Sequence, residues 1–92
     1  MSEPVTRRLI YHGEVQGVGF RATTHRFAQG FLVDGSVRNL PDGTVELIVR
    51  GDRHEVERLL SRVQNHFSTK ISAIDQVDFP QGNITKGFTI RN

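Results

Sequence analysis

The chain has 92 residues, of which 36% are hydrophobic and 24% charged, with nine glycines, three prolines and no cysteine. That length fits one domain over residues 1–92 with its own core, and the composition excludes low complexity, a disulfide framework, a thiolate metal site and a cysteine nucleophile. Twelve Lys plus Arg against ten Asp plus Glu leave a net charge of +2, too mild to indicate a nucleic-acid surface but suited to a small anionic ligand.

Met1 to Tyr11 holds no apolar run of signal-peptide length, and no segment is long enough to span a membrane, so the cytoplasm is the expected location. Arg8 to His12 is short, β-prone and followed by Gly13, which predicts a first strand. Gly13 to Arg21 is then a glycine-punctuated loop. Gly13, Gly17 and Gly19 let the backbone turn tightly, so that successive amides can converge on one anion. Arg21 adds a guanidinium fork at a helix start, where unbonded N–H groups and the helix dipole already favour negative charge. The loop has neither the Gly-Lys-Ser/Thr of a Walker motif nor GxGxxG spacing. Taken alone, it reads either as a metal-independent phosphate site or as an ordinary strand-to-helix connection with a solvated arginine.

Phe20, Thr24, Phe27, Ala28 and Phe31 recur at helical spacing and predict a first amphipathic helix. Ser36 to Leu40 and Thr44 to Arg50 read as two strands joined by a tight turn at Leu40-Pro41-Asp42-Gly43, with Val45, Leu47 and Val49 alternating onto one buried face. Asp52-Arg53-His54-Glu55 resembles a capping box, and Val56, Leu59, Leu60, Val63 and Phe67 mark a second helix. Ile71 to Phe79, with Ala73, Asp75, Val77 and Phe79 alternating, reads as a fourth strand ended at Pro80 to Asn83, and Gly87 to Arg91 as a short last one. The order β-α-β-β-α-β with a short terminal strand predicts an α+β, ferredoxin-like split βαβ sandwich, with two helices on one face of an antiparallel sheet.

Asn39 ends the second predicted strand. An asparagine there serves either the local turn or, on an interior strand facing the first loop, a water poised for attack. By alternation it shares a face with Val37 and Gly35, opposite Ser36, Arg38 and Leu40. His12, His25, His54 and His66 lack metal-ligand spacing, so no metal site is predicted. Asp42, Asp52 and Glu55 read as turn and cap residues, and Arg7 and Arg8 as a solvated strand start. The phenylalanines at 20, 27, 31 and 67 fit a core. Tyr11 and Phe88 are the candidates for base stacking, which ranks an RNA-binding reading low.

Taken together, the two blocks resemble the acylphosphatases, a family of small α/β sandwiches that hydrolyse carboxyl-phosphate anhydrides. Gly13-Glu14-Val15-Gln16-Gly17-Val18-Gly19-Phe20-Arg21 fits the family's GxVQGVxFR signature at every fixed position. Gly35 to Glu46 fits GxVxNxxDGxVE equally well, and Phe88-Thr89-Ile90-Arg91 is similar to the family's last strand. The resemblance implies that Arg21 binds phosphate together with amides of Val15, Gln16, Gly17, Val18, Gly19 and Phe20, while Asn39 orients the attacking water. It implies a small-molecule acyl phosphate as substrate, no metal or organic cofactor, and no nucleic-acid or membrane partner, a monomer being the simplest expectation. Acetyl phosphate, carbamoyl phosphate and 1,3-bisphosphoglycerate are all consistent with it. One departure stands out: where the family has Leu-Gly-Leu before Gly35, this chain has Phe31-Leu32-Val33, with its glycine displaced to Gly30. A left-handed C-cap glycine at the end of the first helix is therefore missing or displaced. The alternative is a non-catalytic anion-binding or regulatory module on the same fold; a chain ending at Arg91-Asn92 without a linker favours the independent enzyme.

Overall fold

The computed structural model describes residues 3–77, 84 and 86–91. Alternating apolar residues form β1 (Pro4–Gly13), β2 (Val33–Asn39), β3 (Val45–Asp52) and β4 (Ile71–Val77), and the chain closes with β5 (Phe88–Arg91). Helices α1 (Phe20–Ala28) and α2 (Arg53–His66) follow β1 and β3. The sheet order is β4-β1-β3-β2-β5. Four strands pair antiparallel as expected, but β5 lies parallel to β2, so the sheet is mixed. The predicted end of the fourth strand at Phe79 and the turn at Pro80 to Asn83 lie outside the described residues.

Period-two patterning fixes which face is covered. Leu9 and Tyr11 of β1, Val37 of β2 and Val45, Leu47 and Val49 of β3 are buried beneath the helices. Each such side chain contributes roughly 1.5 to 3 kcal/mol when fully buried. Helix α2 presents Val56, Leu59 and Val63 to them, and α1 presents Phe20, Thr24, Phe27 and Ala28. The helices meet where the Phe20 and Phe67 rings lie 4.6 Å apart and where Phe27 meets the edge of His66 at 5.3 Å. On β4 the residues packed against the core are Ile71 and Ile74. Ile74 pairs with Tyr11, and a register shift between His12 and Gly13 brings Ile71 into line. Ala73, Asp75 and Val77 alternate onto the other face, where Asp75 Oδ2 accepts from His12 Nε2 at 2.8 Å.

Two expectations need correction. First, α1 stops at Ala28, so Phe31 packs on the core from beyond the helix. No residue at its end has a positive φ; tight i to i−3 bonds from Gly30 N–H to Phe27 O (3.0 Å) and Phe31 N–H to Ala28 O (3.1 Å) close it instead. Second, Asp52 caps α2 through His54 N–H, but Glu55 does not complete a capping box. Its Oε1 accepts from Leu32 N–H at 3.0 Å, tying the segment after α1 to the start of α2, a contact that spans 23 residues.

The face of the sheet away from the helices carries a buried charge. Glu46, on the central strand, accepts from Arg8 Nε (2.8 Å) on one side and from Arg38 Nε (2.7 Å) on the other. Arg8 is therefore paired, not merely solvated. Burial pushes the Glu46 carboxyl up, but the hydrogen bonds and charges of the two arginines outweigh it and hold the group below the usual glutamate range. Such charge-assisted bonds are worth roughly 1.5 to 3 kcal/mol each, less here because carboxylate desolvation opposes them and the guanidiniums are about a third exposed. A lowered folded-state pKa stabilises above the unfolded value, about 4.3, and the benefit disappears as pH falls through the folded value. Urea unfolding should show Glu46→Gln less stable than the parent by about 1 to 2 kcal/mol at pH 7. The gap should narrow as the pH of the titration is taken below about 4 and close only once it is below the folded-state value.

Candidate active site

The first loop is fastened at its start by a close backbone approach. Gly13 has φ +120°, and a Cβ there would collide with the Lys70 carbonyl and stand 2.7 Å from Ser72 N. With no side chain in the way, Glu14 N–H reaches Lys70 O at 2.9 Å. Val15 then turns inward and is fully buried as part of the core. Gln16 fastens the other side: its Nε2 donates to the carbonyls of Leu40 and Thr44, both at 2.8 Å. Those carbonyls frame the β2–β3 turn, which is closed by Leu40 N–H to Thr44 O (2.8 Å) and braced by Asp42 Oδ1 accepting from both the N–H and hydroxyl of Thr44. The Thr44 hydroxyl and N–H bonds lower the Asp42 pKa, so Asp42 serves the turn, as expected.

Gly19 ends the loop in the left-handed region (φ 81°, ψ 17°) as the N-cap of α1. It has no side chain with which to cap the helix, so the first-turn amides face outward unbonded. Among the described residues, the N–H groups from Val15 to Ala22 donate to no protein acceptor. Phe20 is buried between Tyr11 (rings 5.0 Å apart) and Phe67, which fixes where the helix begins. Burial pushes the Tyr11 phenol up, so it stays neutral.

Arg21 and Asn39 come together here. Both line a cleft of about 200 Å³ with Val15, Gly17, Gly19, Phe20, Ala22 and Ile90. Asn39 is the last residue of β2, two positions beyond buried Val37, and so shares the helix-facing side of the sheet. Among the described residues neither Arg21 nor Asn39 makes a side-chain hydrogen bond or ion pair. Gln16 and Val18 belong to the loop without lining the cleft. Tyr11 and Phe88, the stacking candidates, are both buried. No group of three or more His, Asp or Glu side chains that could hold a metal occurs among the described residues, and no helix there is long and apolar enough to cross a membrane.

The acylphosphatase family model matches residues 7–90, which takes in the whole loop, Asn39 and β5 up to Ile90. The chain belongs to the acylphosphatase family. Acylphosphatases of Rhizorhabdus wittichii and Petrotoga mobilis are 38% and 36% identical to it, over 92% and 86% of this chain and 86% and 90% of theirs. The crystal structure of acylphosphatase from Bacillus subtilis superposes with a TM-score of 0.83 at 29% identity, covering 98% of this chain and all of that one.

Two features of this acylphosphatase's cleft were not legible beforehand. The Gln16 amide bridges to residues 24 and 28 positions away, and nothing in its local sequence signals that. Ile90 reaches the cleft only because β5 lies beside β2, with Ile90 opposite Val37. Since Gln16 must donate to two carbonyl oxygens, Gln16→Ala should cost about 1 to 2 kcal/mol in urea unfolding. Gln16→Glu, which faces the same oxygens with a carboxylate, should cost at least as much.

Proposed function

We propose that this acylphosphatase hydrolyses the carboxyl-phosphate bond of small acyl phosphates, with Arg21 and the Val15 to Phe20 amides holding the phosphoryl group and Asn39 orienting the water. The observation that supports this reading is that Arg21 and Asn39 line one cleft, beside a loop whose N–H groups have no protein acceptor among the described residues. The reaction breaks the P–O bond to the acyl oxygen and forms one from phosphorus to water, yielding a carboxylate and inorganic phosphate. A carboxylate whose conjugate acid has a pKa near ~4 to 5 leaves without protonation at neutral pH, so no general acid is required. The lining agrees: among the described residues, Arg21 is the one ionisable side chain in it.

What remains is positioning and electrostatics. The helix N-terminus and the guanidinium neutralise the equatorial oxygens, and the Asn39 amide, fixed by its place on β2, directs the water in line with the departing oxygen. Gly17 and Gly19 keep the loop backbone free of side chains where the phosphoryl group approaches. One chain supplies every group in this scheme, so a single copy suffices to form the site.

Three measurements test the reading. Purified protein should hydrolyse benzoyl phosphate in EDTA; a folded protein that binds phosphate without turnover would be the non-catalytic module instead. Arg21→Ala and Arg21→Lys should each lower kcat/KM by about 10^3-fold or more, since a lysine cannot reproduce the planar fork, and a loss below tenfold in a folded variant would remove Arg21 from its role. Asn39→Ala should lower kcat while leaving competitive inhibition by inorganic phosphate unchanged, because the side chain acts on water and not on the bound phosphate.

A further inference from the structure

Helix α2 carries Arg58, Arg62 and His66 at four-residue spacing, which sets them on one face, and all three are exposed. Helix α1 contributes Arg26, also exposed, and contains no acidic residue. Basic groups of both helices gather around one ring. The Arg62 guanidinium carbon stands 4.2 Å from the Phe27 centroid, that of Arg26 stands 5.8 Å away, and the His66 ring lies at 5.3 Å and 84° to it. Like charges at this spacing repel, and no carboxylate answers them. The acidic residues of α2 are Glu55, which accepts from Leu32 N–H, and Glu57, which lies about 140° round the helix from Arg62. Among the described residues, Arg26, Arg58, Arg62 and His66 make no ion pair and no side-chain hydrogen bond. The negative ends of the helix dipoles account for Arg26 and His66, each in a last turn, but not for Arg58 and Arg62 in the body of α2.

We propose that Arg26, Arg62 and His66, extended by Arg58, form a second anion-binding site on the helix layer, for a small anion of the polyphosphate class carrying two or more negative charges. Stacking on Phe27 engages the face of the Arg62 guanidinium and leaves its N–H edge free for oxygens in the plane. Two guanidiniums at one ring suit a ligand of two linked phosphates, since a single charge would leave one of them unanswered. The ligand is small because the surroundings offer no apolar anchor of the kind a protein partner would bury. The large hydrophobic side chains exposed among the described residues are Val18, Leu32 and Ile90, none of them on α1 or α2. A nucleoside base has no ring to stack on either, because Phe27 is buried. Arg26 is about 7.5 Å along α1 and 140° round it from Arg21. The site shares no residue with the cleft, so it stands apart from the catalytic reading.

The test is a residue-resolved proton–nitrogen NMR titration of the protein with inorganic pyrophosphate, run beside sodium chloride at matched ionic strength. Saturable shifts are expected at Arg26, Arg62 and His66 as well as at the loop amides, with the helix set absent from the salt control. The double variant Arg26→Gln, Arg62→Gln should raise the Kd read from the helix signals by about tenfold or more, because each lost guanidinium removes a charge-assisted contact. The loop shifts and kcat/KM for benzoyl phosphate should stay unchanged. Arg62→Lys keeps the charge but not the planar fork, so on its own it should raise that Kd less than Arg62→Gln does, a comparison that holds even where the double variant fails to fold. Helix shifts that never saturate, that chloride reproduces, or that keep the same Kd in the folded variants overturn the site. Loop shifts alone in the parent also overturn it and leave the catalytic reading untouched.

Discussion

Phe20 is both the first residue of α1 and one of the most deeply buried side chains, and this double duty sets the geometry of everything around the cleft. Its ring lies between Tyr11 of β1 and Phe67 beyond α2, so sheet and helices together determine where the helix begins. Arg21 follows it by one residue and the unbonded amides precede and flank it, which means that their positions are inherited from core packing. A helix start held only by a capping side chain would leave these groups to fray, whereas a buried aromatic ring holds them at the cost of giving up a cap. The missing cap is itself useful, because a Ser or Asp at position 19 would compete with an anion for the same N–H groups.

Around that fixed point, the loop is tied to two distant elements. Glu14 bonds the residue before β4, and Gln16 bonds both sides of the β2–β3 turn. The second tie links the amide-bearing loop directly to the strand end that carries Asn39. Two groups from separate parts of the chain can therefore hold a fixed relation without touching each other, which a site built from positioning and electrostatics requires. The apolar border at Ile90 comes from the parallel pairing of a third segment, β5, so the cleft draws on loop, helix and two strands.

The opposite face of the sheet follows different physics. There the central strand buries a carboxylate between two arginines from its neighbours, Arg8 and Arg38, each in reach because register places those strands on either side of Glu46. The arrangement is worth little if loosely made and a good deal if both bonds hold, and it gives β1, β3 and β2 a specific mutual register on a face that no helix covers. The Glu55 bond to Leu32 has a comparable role at the other end of the molecule, satisfying an N–H after a helix that ends without a left-handed glycine.

Much of this could be read from the residues. Period-two alternation in Val45, Leu47 and Val49 and helical spacing from Val56 to Val63 depend only on local geometry, so they identified elements and buried faces correctly, and glycines beside an arginine marked the loop because backbone freedom and positive charge are intrinsic to those residue types. Chain order likewise sufficed for two helices over a sheet. Errors arose where a residue's partner is remote: Phe31 has helical spacing but packs from beyond the end of α1, Glu55 has capping-box spacing but serves Leu32, and β5 gives no local sign of whether it will run parallel or antiparallel to β2. The sequence by itself determined the residue types, the element order and the two motif blocks, because these are written in neighbouring positions. Only the tertiary structure decided that Asn39 and Arg21 share a cleft, that Gln16 braces it and that Ile90 borders it, because those relations depend on strand register and on contacts between segments tens of residues apart.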